Sequence, residues 1–143
     1  MLKFRWVKPP SALGGALEQR YSRRLLLAVH AMAGYVGLQM QNAGRAAAPW
    51  EDRTGNARSG LFFAVDGFGL HPIVGRVSGK ARRLQTDSAT ISGDKDRLIL
   101  VFGHTVYYGK FLELAHGGRY AIVMSTLEAR VPVLERMLKA LLR

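Results

Sequence analysis

The chain has 143 residues, 48% of them hydrophobic and 22% charged, a composition that indicates one compact domain and excludes a disordered or fibrous chain. It has no cysteine, which excludes disulfide bonds, thiolate metal sites and cysteine nucleophiles. The formal net charge of +11 indicates an anionic partner, either nucleic acid or a membrane surface, and the excess is greatest in residues 1–48 and 97–143.

A basic arm and a long helix are predicted in the first third of the chain. The arm, residues 1–10, ends in two prolines and not in an apolar run, so it is no secretory signal and we expect the protein to stay in the cytoplasm where it is made. A helix is predicted over residues 11–47, where apolar residues recur at spacings of three and four. At 1.5 Å per residue it would be about 55 Å long, so part of it should pack on another subunit. The apolar stripe comprises Leu13, Leu17, Tyr21, Leu25, Ala28, Met32 and Tyr35.

The middle of this helix is so apolar that a membrane span is an alternative. Between residues 25 and 40 the clearly polar side chains are His30 and Gln39. The apolar stretch is shorter than the roughly 20 residues that a bilayer requires, and it contains an ionisable histidine and two glycines. We therefore predict no membrane span. We expect a helix buried on two faces, by its own sheet and by a neighbouring subunit, with Gly34 and Gly37 allowing close approach.

The remaining residues, 48–143, are predicted to form a sheet and two helices. A loop is expected at residues 48–60, and helices at residues 106–115 and from Ser125 to the end, where Ser125 and Glu128 match a capping box. Leu98–Phe102 is apolar without alternation, so both faces of that strand should be covered. Strands are predicted at residues 61–65, 73–77, 86–92, 97–103 and 120–124.

These elements predict a single α+β domain. It would contain the long N-terminal helix, an antiparallel sheet of three to four strands, a short helix and a C-terminal helix packed on the sheet. Pro132 is expected to kink the C-terminal helix.

No recognisable catalytic or cofactor-binding pattern is present. The four histidines lack acidic companions at metal-ligand spacing, and Gly67-Phe68-Gly69 lacks the third glycine of a dinucleotide fingerprint. The acidic pairs Glu51-Asp52 and Asp94-Asp96 could ligate a divalent ion, but both lie in turn-like segments where aspartate is common for local hydrogen bonding. We therefore predict no catalytic, metal or cofactor residues, and a protein that is not an enzyme.

Two dense motifs remain. The first is Ala-Pro-Trp-Glu-Asp-Arg-Thr-Gly-Asn-Ala-Arg-Ser-Gly at residues 48–60, directly after the long helix. The second is His-Thr-Val-Tyr-Tyr-Gly-Lys-Phe-Leu-Glu-Leu-Ala-His-Gly-Gly-Arg-Tyr-Ala-Ile at residues 104–122. In their order and content they resemble the paired signatures of tailed-phage neck or tail-completion proteins, a family of head-to-tail joining and minor tail proteins.

The resemblance implies a structural virion protein without a cofactor. It implies a ring of six copies between the portal-side connector and the tail-tube or tail-terminator proteins, with DNA passing through the centre, and it implies assembly in the host cytoplasm.

Candidate DNA-facing residues lie in the basic stretch 76–87, whose alternative role is a solvated surface loop; they are Arg76, Lys80, Arg82 and Arg83. Candidate interface or framework residues are Trp50, Asp52, Arg53, Thr54, Gly55, Asn56, Arg58, Tyr108, Glu113 and Tyr120.

The residue types in the motifs suit a framework role. The Thr54-Gly55-Asn56 run can supply a left-handed position and side-chain caps. Asp52 is expected to pair with Arg53 or Arg58 of the same or a neighbouring chain. Trp50 should be an anchor, either under the loop or in an interface. Glu113, the lone acid of a basic neighbourhood, is expected to pair with an arginine and not to act as a catalytic base.

A free cytoplasmic nucleic-acid-binding protein is the alternative function. Its +11 charge would be its main working feature. A recognition helix that reads bases would need polar side chains on an exposed face, and the long helix is mostly apolar beyond Arg24. The structural function is therefore favoured.

Overall fold

The fold is α+β, as the sequence predicts, in a computed structural model of the chain. The structure describes residues 10–51, 55–77 and 93–143, with side chains from residue 19 onward. A short 3₁₀ turn at His116–Gly118 precedes the last helix. The elements are α1 (Pro10–Ala47), α2 (Asn56–Ser59), β1 (Leu61–Gly67), β2 (Leu70–Val74), β3 (Leu98–His104), α3 (Gly109–Leu114) and α4 (Val123–Leu141).

Helix α1 confirms the long helix predicted over residues 11–47. It begins at Pro10, which lacks a backbone N–H and therefore loses nothing at a helix start. All residues from 19 to 25 are exposed, whereas Ala33, Val36 and Met40 are fully buried. The helix thus extends beyond the body of the domain at its N-terminal side and packs on the sheet with its later turns. Among the helices that the structure describes, none combines the length and apolar character that a membrane crossing requires.

The face of α1 that packs on the sheet differs from the stripe of large apolar residues in the sequence. Tyr35 of that stripe, in the part of α1 that packs on the sheet, is 54% exposed. The packed face carries Gly34 and Gly37, where an added Cβ atom would lie 2.7 Å from Cδ1 of Ile73 or would overlap the ring of Phe63. The close approach predicted for the two glycines is therefore confirmed, and the helix backbone lies directly on the side chains of the sheet.

Helix α4 covers α1 on a second side. It lies along α1 and reaches β3, so part of the cover that the sequence assigns to a neighbouring subunit comes from the same chain. Tyr35 and Leu38 of α1 nevertheless remain 54% and 47% exposed. One hydrophobic core fills the space between α1, the sheet and α4, and its largest fully buried apolar side chains are Met40, Leu61, Val36 and Val65.

The three strands that the structure describes form one antiparallel sheet in the order β2-β1-β3. The central strand, β1, pairs with β3 along its whole length, from Leu61 opposite His104 to Gly67 opposite Leu98. Every residue of β3 from Leu98 to Phe102 is half-buried or buried, in agreement with the missing alternation of this segment.

The glycine-rich segment after β1 turns the chain into a hairpin. Phe68 and Gly69 have φ values of 58° and 64° and connect β1 directly to β2. The strand predicted at residues 73–77 is therefore wrong in position, because β2 begins three residues earlier. Pro72 is accommodated because β2 is an edge strand of the described sheet. The strand predicted at residues 86–92 lies outside the described residues.

The last third of the chain departs from the predicted element boundaries. Helix α3 starts at Gly109, and a turn occupies residues 105–108, where the first turn of the helix was predicted. The strand predicted at residues 120–124 is wrong, since α4 already begins at Val123. Pro132 lies in the interior of α4.

The predicted capping box is also wrong. Ser125 lies inside α4, where its hydroxyl donates to the carbonyl of Ile122 at 3.1 Å. Ile122 holds the N-cap position and has no side chain able to cap. The start of α4 is capped by a carboxylate from α3, which local sequence does not reveal.

Replacing Gly37 by alanine should destabilise the protein although alanine is the better helix former. The gain in helix propensity is about 1 kcal/mol, whereas forcing a methyl group against the buried Phe63 ring should cost about 2–3 kcal/mol. We therefore expect a net loss of about 1–2 kcal/mol in urea unfolding. In the control, Gly44→Ala, the new Cβ would lie 3.1 Å from Cζ of Phe102, a contact that a small shift relieves. Equal losses in the two variants would contradict the packing of α1 on the sheet.

Candidate functional site

The two sequence motifs lie side by side in the structure. The first connects α1 to β1, and the second runs from the end of β3 to the start of α4. Because β1 and β3 are antiparallel neighbours, the start of one strand lies beside the end of the other. The carbonyl of Gly60 accepts hydrogen bonds from the backbone N–H of Thr105 at 2.8 Å and from its hydroxyl at 3.0 Å. We call the place where the two motifs meet the junction, and define it by Trp50, Arg58, Gly60, His104, Thr105 and Glu113.

Arg58 of the first motif caps the end of α1. Its Nη1 donates to the carbonyl of Arg45 at 3.0 Å, and its Nη2 donates to the carbonyls of Ala48 and Trp50, each at 3.2 Å. Carbonyl groups at a helix C-terminus have no intrahelical N–H partner, and they carry the negative end of the helix dipole. A guanidinium group satisfies both requirements because it is a cation with several donors.

Arg45 holds the opposite side of the same connection. Its Nε donates to the carbonyl of Arg58 at 3.0 Å, and its Nη2 donates to the carbonyls of Ser59 and Leu61 at 3.0 Å and of Arg76 at 2.6 Å. These acceptors are neutral, and burial lowers the pKa of Arg45 because the charged group has lost part of its water. Arg45 therefore ties the end of α1 to α2, to β1 and to the segment after β2.

The carbonyl of Arg76 has a second donor in Gln41. The side-chain amide of this buried residue donates to the carbonyls of Leu61 at 2.7 Å and of Arg76 at 2.9 Å. The backbone of Arg76 is thus held inside the fold while the residue itself is exposed. The other candidate DNA-facing residues, Lys80, Arg82 and Arg83, lie outside the described part of the chain.

The remaining first-motif predictions are partly resolved. Gly55 has a φ of 71°, which confirms the predicted left-handed position, and the buried Asn56 begins α2. Trp50 is 8% exposed and lies within its own chain, under the connection. Three further candidates, Asp52, Arg53 and Thr54, lie outside the described residues, as does the predicted ion pair of Asp52.

His104 links the two motifs. Its ring centroid lies 5.8 Å from that of Trp50, with the planes tilted by 49°. Its Nε2 lies 2.9 Å from Oε1 of Glu113, and the two side chains are 5% and 18% exposed. Gly109 stands one helical turn before Glu113, and an added Cβ there would overlap the Cβ of His104. Glycine is therefore required at this position for α3 to bring its glutamate to the histidine.

Glu113 also caps α4 through its carboxylate. The two oxygens accept hydrogen bonds from the backbone N–H groups of Ile122, at 3.1 and 3.2 Å, and of Val123, at 3.1 Å. An anion at a helix N-terminus satisfies free N–H groups and is stabilised by the helix dipole. The expectation of an arginine partner for Glu113 is wrong: its partners are a histidine and the first amides of α4.

The motif tyrosines lie beside the junction. Tyr108 and Tyr120 are half-buried and pack against the core. The ring of His116 meets that of Tyr120 edge-on, with centroids 5.5 Å apart. Tyr107, just before α3, and Phe111 and Leu114 within it are exposed by 60%, 59% and 81%.

The polar groups of the junction connect structural elements to one another. A histidine paired with a glutamate is an arrangement that can transfer protons, but here the carboxylate also accepts two backbone N–H groups, and the imidazole is almost entirely buried. In the described residues no three His, Asp or Glu side chains are close enough together to hold a metal ion. The charged groups therefore bind helix ends, neighbouring strands and one another.

Comparison of the chain with models of protein families, with curated protein sequences and with solved structures finds no match. The resemblance to neck and tail-completion proteins accordingly depends on the two motifs.

Removing the charge of Glu113 should loosen the start of α4. Hydrogen bonds to a charged group contribute about 1.5–3 kcal/mol, so Glu113→Gln should lower the free energy of unfolding by about that amount. Hydrogen exchange at the amides of Ile122 and Val123 should accelerate. Glu128→Gln, an exposed change on α4, is the matched control and should stay within about 0.5 kcal/mol of the parent. Unchanged exchange at both amides would contradict the cap.

A lysine at position 45 should be unable to fulfil the structural role of Arg45. An ammonium group cannot reproduce the fork that reaches four carbonyls in different directions. Gln41 still donates to the carbonyls of Leu61 and Arg76 in Arg45→Lys, so the lost hydrogen bonds are mainly those to the part-buried carbonyls of Arg58 and Ser59. We expect a loss of about 2–3 kcal/mol in chemical unfolding. Arg136→Lys on the exposed side of α4 supplies the control, and equal stability of the two variants would refute the role assigned to Arg45.

Proposed function

We propose that the chain is a structural protein of a tailed-phage particle that completes the tail or joins it to the head. It would act as a ring of six copies around the DNA channel, in contact with a portal-side connector and with tail-tube or tail-terminator proteins. The observation that carries the proposal is the junction, because the two motifs of the resemblance meet there as one unit.

The use of polar residues at the junction supports a structural role. Arg58 and Glu113 each cap the end of a helix, and Thr105 and Gly60 join neighbouring strands. A subunit that bears load between head and tail needs its helices held rigidly on its sheet. Motifs whose polar side chains hold elements together are what such a subunit requires.

Exposed apolar residues support assembly into an oligomer. Tyr35 and Leu38 on α1 and Phe111 and Leu114 on α3 are all about half exposed or more, with Leu114 at 81%. Large apolar side chains clustered in water mark interaction surfaces, and aromatic residues are enriched in the core of protein interfaces. The positive charge suits weak, sequence-independent contact with DNA phosphates in a channel.

Deleting the gene from the phage genome that encodes it should give DNA-filled heads and free tails that do not join. Electron microscopy of lysates counts joined and separate structures, and supplying the chain from a plasmid should restore joining. Leu114→Glu should fail to restore it while folding normally, because the side chain is exposed. Ala129→Glu, at an exposed position of α4, is the control for the added charge.

Normal particles after the deletion would overturn the proposal. So would flanking genes that include no portal, connector or tail-tube protein. A strictly monomeric protein in sedimentation that binds one DNA sequence tightly and resists salt would instead favour a free nucleic-acid-binding protein.

A further inference from the structure

The exposed part of α1 carries three arginines on one side. Arg20, Arg23 and Arg24 are all exposed, as is every residue from 19 to 25. At about 100° and 1.5 Å per residue they fall within about 100° of the helix circumference and about 6 Å of its length. Among the side chains that the structure describes, none of the three has a carboxylate partner, since both ion pairs found there involve other residues. We call these residues the arginine face.

The next turn of the helix is partly covered by its own chain. Leu26 and Val29 are half-buried, and His30 is 7% exposed. A helix that lies on a membrane must insert an apolar side opposite its cations, whereas here that side carries the polar Ser22 and the half-buried Val29. On this face a second copy of the chain is also a poor occupant, because it would need carboxylates there and the chain has 10 acidic against 21 basic side chains. The charge of the face is complementary to a polyanion.

We propose that the arginine face binds phosphates of duplex DNA irrespective of sequence. Guanidinium groups bind phosphates through paired hydrogen bonds, and a spread of about 6 Å corresponds to about two successive phosphates of one strand. Phosphate contacts of this kind position a protein on DNA without reading bases. This places a DNA contact on α1, outside the basic stretch 76–87 that the sequence singles out. The choice of DNA as the polyanion rests on the proposed function, whereas the arginine face does not.

The test compares two variants of equal charge in DNA binding. The first is Arg20→Gln/Arg23→Gln/Arg24→Gln, and the control is Arg136→Gln/Lys139→Gln/Arg143→Gln, three exposed cations at the end of α4. Fluorescence anisotropy with a labelled 30-base-pair duplex of arbitrary sequence gives Kd between 50 and 200 mM NaCl. Because each phosphate contact adds about 0.9 to the slope of log Kd against log salt and the face spans about two phosphates, the first variant should lose about 2 from the slope and bind at least about tenfold more weakly at 100 mM. The control should change both quantities far less.

Equal losses in the two variants would overturn the proposal, because binding would then follow net charge alone. Retention of wild-type binding by the first variant would overturn it as well. Vesicles containing 30% phosphatidylserine serve as a second probe: tighter binding to vesicles than to DNA, abolished in the first variant, would show a membrane surface as the occupant and overturn the DNA assignment. Thermal unfolding should be unchanged in both variants, since the substituted side chains are exposed.

The outcomes separate this inference from the proposed function. If heads and tails fail to join after gene deletion but the first variant binds DNA normally, only the DNA contact of the arginine face is refuted. If particles are normal after deletion but the first variant loses DNA binding as expected, the neck function is refuted and the DNA contact of the arginine face is supported.

Discussion

The end of α1 imposes a constraint that much of the structure satisfies, because its carbonyl groups lie inside the fold and need donors. Arg58 supplies them, while Arg45 on the helix itself donates to the chain that returns beneath it. A cation at this position also complements the negative end of the helix dipole. Each of the two arginines donates to the backbone carbonyl of the other. These hydrogen bonds fix the end of α1 against the segment that leads into β1, and they thereby position the sheet relative to the helix.

The second motif supplies hydrogen-bond acceptors to the N-terminus of α4. The first amides of that helix need acceptors, and the carboxylate of Glu113 provides them while also binding His104 at the end of β3. Each motif therefore contributes one charged side chain of the appropriate sign to a helix end, a cation for the C-terminus of α1 and an anion for the N-terminus of α4. Because His104 lies against Trp50, the two caps are joined through one buried contact. Both helices are held on the sheet by groups that the two motifs supply together.

This arrangement also shapes the electrostatics of the surface. Glu113 is used inside the fold and Asp94 pairs with Arg97, so two of the chain's few acids are already engaged. The arginines at the junction are likewise engaged, by backbone carbonyls. Those on the exposed part of α1 have no carboxylate partner among the described side chains, and apolar side chains of α1 and α3 are also exposed. The proposed contacts with other proteins and with DNA depend on these exposed apolar side chains and on the arginine face.

Local patterns in the sequence were sufficient for the α+β class, the long helix, β1, β3, the left-handed Gly55 and the close approach at Gly37. Each follows from hydrophobic period, turn chemistry or the absence of a Cβ atom, which neighbouring residues determine. Tertiary structure alone decided which face of α1 is buried and where α4 begins. The stripe of larger side chains was not the packed face, because small residues bring the helix backbone onto the sheet. The start of α4 depends on a carboxylate that folds back from α3 onto amides nine and ten residues later in the chain. The partnership of Arg45 with Arg58 and that of His104 with Trp50 likewise arise between segments that only the fold brings together, so no periodicity or local propensity could reveal them.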